Sequence, residues 1–562
     1  MRPGRDALVP LLLLCACSHP TPAPAPAAAP APPVGPAAGA TQPAITAQDL
    51  RQRLGIFAAD SMLGRETGTR GNVKATDYIA AEFQRLGLEP AGDNGTYFQT
   101  VPLVNEGVDD ASAIHAGGAD LTLYRDFLAF GIDSTRSLDG VQAIYGGSLA
   151  DSTTWISPAE AAGHIVVLGL PPRQQQYLPF GFLTEHPRFA RAVGVAAGEL
   201  NLADPGLIAA TKAGQIGVRT PPHPGPFQLL LSPDATSRIL GAPASTLARG
   251  ALGPALAGRI VIRLDTLPAP ARNVVAILRG SDPRVRGEYV ALGAHNDHLG
   301  MAPTPVDHDS LRAYNAVMRP RGADSPERVS TAAEVARIRA ALDSLHRLHP
   351  PRADSVYNGA DDDGSGTVAL LEIAEAAARA GQRPLRSLLF VSHTGEEEGV
   401  LGSSYFTEHP TVPRDSIVAQ LNMDMIGRGE AIDLPAGSPA YLQVIGSRRL
   451  STELGDLAER VNTDGKHGFR FDYSLDAPGH PEQVYCRSDH TEYARFGIPI
   501  IFVTTDLHED YHQQTDEIEY IHYPKLARVA GLMYDLALHV ANLDHRLLVD
   551  HPKPDPAAPC RQ

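Results

Sequence analysis

Three consecutive carboxylates, Asp361-Asp362-Asp363, sit among small residues in Asn358-Gly359-Ala360-Asp361-Asp362-Asp363-Gly364-Ser365-Gly366, just ahead of a helix-like run. Like charges held side by side repel, so an ordered chain gathers them mainly around a cation. Further carboxylates and imidazoles recur at the ends of apolar runs. His295-Asn296-Asp297-His298 lies upstream; Glu396-Glu397-Glu398, Asp424 and His512 lie downstream. A lone acidic triplet is ordinarily a solvated loop, and a lone Glu triplet a charged helix start. Their recurrence at the ends of successive apolar runs points instead to a metal centre with two ions. Calcium seldom recruits imidazole, which disfavours it here.

The apolar runs alternate in kind. Residues 273–278, 289–294, 386–392, 417–423, 442–446 and 499–504 read as strands. Residues 46–63, 74–86, 367–380, 399–409, 449–461 and a segment from about Pro524 to Asn542 read as helices. Strands separated by helices of this length predict an α/β fold, an open and mostly parallel sheet flanked by helices. In such sheets ligands bind beyond the carboxyl ends of the strands, where His295, Asp297, Glu396, Glu397 and Asp424 fall. No Gly-x-Gly-x-x-Gly opens a helix after a strand, which argues against a dinucleotide site.

Two stretches interrupt the alternation. Residues 106–268 carry short apolar runs such as 165–169 and 260–262, an Ala-rich helix-like piece near 187–198 and Pro-rich turns near 221–226. They read as an inserted β-rich domain without a His/Asp/Glu cluster. Residues 301–357 form a long excursion whose helix-like part places Val335, Ile338, Leu342 and Leu345 on one side. A connection of that length beside a site reads equally as a lid or specificity wall and as peripheral decoration.

A chain of 562 residues exceeds one ordinary core. Its net charge of -16 and lack of a basic stripe argue against a nucleic-acid partner. Arg2 and Arg5 precede an apolar run at 8–14 that is too short to span a membrane. Leu14-Cys15-Ala16-Cys17-Ser18 resembles the lipobox of bacterial lipoproteins, with Cys17 as the lipidated residue; the alternative is a plain secretory signal cleaved nearby. The Pro/Ala-rich segment 18–43 reads as a semi-rigid tether. The expectation is an exported protein anchored to the membrane by lipid at Cys17 and facing the periplasm, with Ser18 favouring the outer membrane. Two of the four cysteines lie in the leader. The remaining Cys486 and Cys560 cannot build a disulfide framework, and a single bridge between them stays open.

Six motifs occur in order: 294–300 around His295, 359–366 around the Asp triplet, 395–403 around Glu396-Glu397, Asn422-Met423-Asp424-Met425, Ser488-Asp489-His490, and 511–516 around His512. Together with 62–71, 86–92 and 98–103 they resemble the M28 family of co-catalytic zinc aminopeptidases, in its form with a protease-associated (PA-like) insert. The resemblance spans roughly 46–543. It implies two zinc ions per chain, with His295 and Asp424 on one, Glu397 and His512 on the other, and Asp361 bridging both. It makes Glu396 the general base, gives Asp297 the role of orienting His295, and places a strained, cis-like bond at Asp361–Asp362. Asp361→Ala is then the substitution that strips both metals.

Physical chemistry suits these roles. Each ion would have one imidazole, one terminal carboxylate and a share of the bridge, leaving a position for water. Asp297 is two residues from His295, so a strand puts both on one side, and a carboxylate on the remote imidazole nitrogen fixes its tautomer. His298 either lines the site or packs, the family resemblance of Ser488-Asp489-His490 implies a loop near the substrate in which His490 need not bind metal, and His508 reads as surface. Ser365 lacks the Gly-x-Ser-x-Gly elbow, and no Cys/His arrangement supports Cys486 as a nucleophile. The resulting division is signal 1–17, tether 18–43, first part of the peptidase domain 44–105, PA-like insert 106–268, catalytic domain 269–545 and tail 546–562. The expected activity is removal of N-terminal residues from peptides, with a Phe/Leu-like side pocket around 485–490. A carboxypeptidase or dipeptidase on the same scaffold, and a non-catalytic binding ectodomain, are the alternatives.

Overall fold

Runs of consecutive apolar residues are expected where a strand is covered on both faces. The run Ser387–His393 is buried along its whole length, as are Tyr289–His295 and Ile417–Met423. A computed structural model describes residues 41–131, 134–170, 186–219, 225–348, 350–434 and 436–562. The leader with Cys17 and nearly all of the tether lie outside the described residues. Gln42–Gln562 form one compact unit.

Its main sheet has nine strands. In chain order they are β1 (Glu89–Pro90), β2 (Phe98–Val101), β3 (Ala271–Leu278), β4 (Tyr289–His295), β5 (Ser387–His393), β6 (Ile417–Met423), β7 (Tyr441–Ile445), β8 (Arg470–Asp472) and β9 (Ile500–Thr504). The spatial order is β1-β3-β5-β4-β6-β9-β7-β8, with β2 also on β3. Strands β5, β4, β6 and β9 run parallel. Both margins turn antiparallel, at β3 against β5 and β7 against β9. The parallel centre brings the carboxyl ends of β4, β5 and β6 to one edge.

Side-chain alternation divides two cores across this sheet. Val290, Leu292, Leu388 and Phe390 face one layer; Ala291, Leu389 and Val391 face the other. The first layer is made by helices α1 (Ala47–Phe57), α2 (Arg70–Leu86), α3 (Gly364–Arg379), α5 (Thr452–Asp464) and α6 (Tyr523–Ala541). The second uses the short helix α4 (Leu401–Glu408), through Phe406, and the turn His490–Ala494, through Tyr493. Helix α3 is buried almost throughout, and Asp363 caps it by accepting from the Gly366 N–H at 2.9 Å. Among the described residues no helix is long and apolar enough to cross a membrane.

The described residues between 103 and 266 build three other sheets. The largest places Gln142–Ser148, Ile165–Gly169, Gly194–Gly198 and Phe227–Leu231 in parallel. The helix expected near 187–198 is therefore corrected. Its Ala-rich part is the strand Gly194–Gly198, buried from end to end because small side chains suit a strand covered on both faces. The excursion after Met301 forms a ribbon of Met301–Asp307 with Ala353–Val356, enclosing helices His308–Met318 and Ala332–Leu345. The apolar stripe of Ala332–Leu345 reaches no fully buried position.

A buried ion-pair group ties the helical layer together. Arg53 of α1 is 1% exposed and contacts Glu372 and Glu375 of α3 at 2.5 Å each, and Glu82 of α2. Burial pushes the Glu372 carboxyl up to about 7 even with Arg53 beside it. Removing the cation would strand that carboxylate in the core. Arg53→Met is expected to lower unfolding free energy by about 3 kcal/mol, read from chemical denaturation.

Candidate metal centre

His295 is the last residue of β4, and its backbone N–H donates to Asp363 Oδ2 at 3.0 Å. Its ring is 1% exposed. Its Nε2 lies 3.0 Å from Asp362 Oδ1, 3.7 Å from Asp424 Oδ1 and 3.9 Å from Glu396 Oε2. Asp424 follows β6, and its other oxygen accepts the Ser488 hydroxyl at 2.7 Å. On the opposite side of Asp362, His512 Nε2 lies 3.2 Å from Asp362 Oδ2 and 2.8 Å from Glu397 Oε2. His298 Nδ1 meets the other Glu397 oxygen at 2.5 Å. His295, Asp362 and Asp424 thus converge on one point, and His298, Asp362 and Glu397 on a second.

The shared carboxylate is Asp362, and the expectation for Asp361 is corrected. Asp361 turns away: its Oδ1 accepts the Gly427 N–H at 2.6 Å, and its Oδ2 lies 3.2 Å from His508 Nε2. The cis bond is likewise one residue later, at Asp362–Asp363. Adjacent side chains in the turn leave in different directions, so the three carboxylates do different work. Asp361 braces the 427 and 508 segments, Asp362 stands between two imidazoles, and Asp363 holds α3 and the His295 backbone. The turn is fixed from outside as well. Asp516 accepts the N–H groups of Asp361 and Asp362 at 3.0 Å, and the buried Arg65 guanidinium donates to the Asn358, Gly359 and Asp362 carbonyls. The Arg65–Asn358 bond is 2.5 Å and the Arg65–Gly359 bond 2.9 Å.

Asp297 sits under both clusters. His295 Nδ1 faces its backbone carbonyl at 3.2 Å and its carboxylate at 3.7 Å. That carboxylate also accepts the backbone N–H groups of Glu396 at 3.2 Å and Glu397 at 3.3 Å, and the Thr67 hydroxyl at 3.0 Å. It therefore aligns the Glu396-Glu397 backbone as well as facing the imidazole. His508 is buried, not on the surface, because Asp361 points into it. His490 is buried against Phe502, ring centroids 4.5 Å apart, and burial pushes its imidazole down to about 3. Cys486 is joined to Cys560. Sequence reading passed over Arg65, Asp516 and the role of Asp363. Of these, only Asp363 carried a local signal, as an N-cap three residues before Gly366.

The electrostatics fit a cation-binding cage. Asp362, Glu396, Glu397 and Asp424 side chains are 4%, 10%, 6% and 11% exposed, so four carboxylates share a buried space against the imidazoles of His295, His298 and His512. Burial drives the Glu396 carboxyl well up, with Asp424 and Glu397 adding to it against the pull of His295. Burial also raises Asp424. Burial opposes charge on Glu397 too, but His512 and His298 outweigh it and hold the carboxyl down at about 2. Burial works against a charged His512, yet Glu397 and Asp362 prevail and raise it to about 10. Without metal, this charged pairing stabilises the fold fully between the ordinary carboxylate and imidazole ranges, and is lost as pH rises through about 10 or falls through about 2. A divalent cation entering the cage would compete with the His512 proton for Glu397 and Asp362. Calorimetry in buffers of different ionisation enthalpy is expected to show net proton release, with affinity falling as pH is lowered.

The apolar side of the cavity beside Asp362, Glu396 and Asp424 is made by Met425, Leu475, Val484, Phe502 and Leu507. Leucine aminopeptidase 1 of Paracoccidioides brasiliensis (strain Pb03) is 31% identical over 193 residues, 32% of this chain and 47% of that protein. Leupeptin-inactivating enzyme 1 of Streptomyces exfoliatus is 44% identical over 77 residues, 13% of this chain and 18% of that one. The chain thus spans less than half the length of these curated relatives. Among solved structures, an aminopeptidase from Aneurinibacillus sp. strain AM-1 aligns with TM-score 0.47 and 16% identity, over 91% of this chain and 97% of that one. The stretch that holds every cage carboxylate and imidazole, residues 273–537, matches peptidase family M28.

Proposed function

We propose that this chain is a two-zinc aminopeptidase that removes uncharged, apolar residues from the N-termini of peptides. The observation that carries the reading is Asp362, whose two oxygens address His295 on one side and His512 on the other. His295, Asp362 and Asp424 would hold one ion. Asp362 and Glu397 would hold the second, with His512 and His298 on either side of Glu397. Zinc bound there supplies Lewis-acid polarisation of the scissile carbonyl and lowers the pKa of water. The family match and the name of the Paracoccidioides relative support a peptidase reading.

The chain's own groups do the rest. Glu396 stands farthest from an imidazole among the cage carboxylates, 3.9 Å from His295 Nε2, and unlike Asp424, which is 3.7 Å from the same atom and accepts the Ser488 hydroxyl, it is left to take a proton from water and deliver it to the leaving amine. Asp297 fixes Glu396 and Glu397 through their backbone N–H groups, so that neighbouring carboxylates face different partners. Ser488 fixes Asp424. The substrate's free ammonium meets the carboxylate face of Glu396, Asp362 and Asp424, and its side chain enters the apolar wall of Leu475, Val484 and Phe502. An N-acylated peptide loses that attraction. The Cys486–Cys560 disulfide supports the export proposed from the leader, since such bonds persist in oxidising compartments.

Zinc-loaded protein is expected to cleave Leu- and Ala-4-nitroanilide and to leave their N-acetyl forms intact. Cleavage that required a free carboxyl terminus would establish a carboxypeptidase instead, and an inactive protein with two bound metals would establish a binding module. Glu396→Gln is expected to keep both metals and lose about 100-fold or more in kcat. Asp362→Asn is expected to lower metal content at both positions, while Asp361→Asn keeps it; elemental analysis decides between the two aspartates.

A further inference from the structure

Apart from the cage residues Asp362, Glu396, Asp424 and His512, two charged side chains line the cavity: Arg487 and Asp506. Left unpaired, each would attract an N-terminal residue of opposite charge and repel one of like charge. Both are paired, and the partners come from the excursion. Asp324 lies 2.8 Å from the Arg487 guanidinium. Arg321 lies 3.9 Å from Asp506 and 3.2 Å from Glu482, which itself lies 3.6 Å from Arg487. The contacts form an alternating chain, Asp324–Arg487–Glu482–Arg321–Asp506.

The excursion is seated firmly enough to hold these charges in place. The Ala323 N–H donates to the Tyr511 carbonyl at 3.0 Å. Gly322 has φ +52, and a Cβ there would stand 2.1 Å from that same carbonyl oxygen, so glycine alone permits the approach. From helix His308–Met318, Arg312 reaches Glu509 at 3.3 Å and also contacts Asp510, while Asn315 donates to Gln513 at 3.3 Å. These contacts bracket His512. The Arg487 guanidinium also donates to the Tyr511 hydroxyl at 3.1 Å.

We infer that the turn at 321–324 is a specificity element: Asp324 and Arg321 neutralise Arg487 and Asp506, so the pocket selects uncharged N-terminal residues. This rests on the aminopeptidase reading and deepens it. The paired side chains are each about one-third exposed, apart from the more buried Asp506, so the pairs add little to stability and act on the charge that a ligand meets.

The test compares zinc-loaded wild type with Asp324→Asn and Arg321→Gln. It measures kcat/KM for Leu-, Glu- and Lys-4-nitroanilide, and dissociation constants of free leucine, glutamate and lysine by calorimetry. Asp324→Asn is expected to raise the Glu-to-Leu ratio about fivefold in both measurements. Arg321→Gln is expected to move selectivity the other way and raise the Lys-to-Leu ratio by a similar factor. In the double variant Asp324→Asn/Arg487→Gln the gain for Glu is expected to vanish. Ratios that stay within about twofold of wild type in both single variants would overturn the inference. If wild type turned over none of the three anilides, the aminopeptidase reading would fail, and the calorimetric ratios would still decide whether the turn sets pocket charge.

Discussion

Mutual repulsion among buried carboxylates is the constraint around which the rest is organised. Asp362, Glu396, Glu397 and Asp424 occupy one small space with little water to screen them. Such a group survives only if cations neutralise it or protons remain on part of it. The directions of the shifts record both: Glu397 is held ionised by two imidazoles, while Glu396 and Asp424 are driven towards the protonated form. The arrangement is strained electrostatically as protein alone, and bound cations would relieve it.

The fold meets this constraint by distributing the charges over separate elements. His295 ends β4, Glu396 and Glu397 follow β5, and Asp424 follows β6, so a parallel centre delivers them to one edge without placing them on one segment. Asp297 is the joint between two of these strand ends, with Nδ1 of His295 on one side and the backbone of Glu396 and Glu397 on the other. The acidic turn contributes a single ligand-like carboxylate, because its neighbours are each engaged elsewhere. Regular structure therefore sets the coarse positions, and side-chain to backbone hydrogen bonds set the fine ones.

What could be read from the sequence follows the same division. The strands ending at His295 and Met423 and the helix after Asp363 were legible because burial on two faces leaves continuous apolar runs with clear ends. Asp361 and Asp362 were not distinguishable, since identical neighbours in an irregular turn carry no periodicity to say which way each side chain leaves. His508 was missed for a related reason. A histidine in a polar loop looks solvated until Asp361 is seen to point at it. The strand Gly194–Gly198 misled because alanine is a helix former by propensity, and packing on both faces of a parallel sheet overrode that preference.

His512 poses the remaining problem, because it sits on a loop, with φ +57, while the other cage residues follow strands or begin a helix. A loop residue can match the accuracy of a strand end only if its segment is clamped. One clamp comes from the sheet side: buried Arg428 bonds Asp433 at 2.8 Å and Asp510 at 3.0 Å. Another comes from the far end of the loop, where Asp516 grips the acidic turn itself. The third comes from the excursion, through Arg312, Asn315 and the backbone at Ala323. The long connection is thus not spare chain. It closes the loop that closes the cage, and the same contact brings its charged turn to the mouth of the pocket.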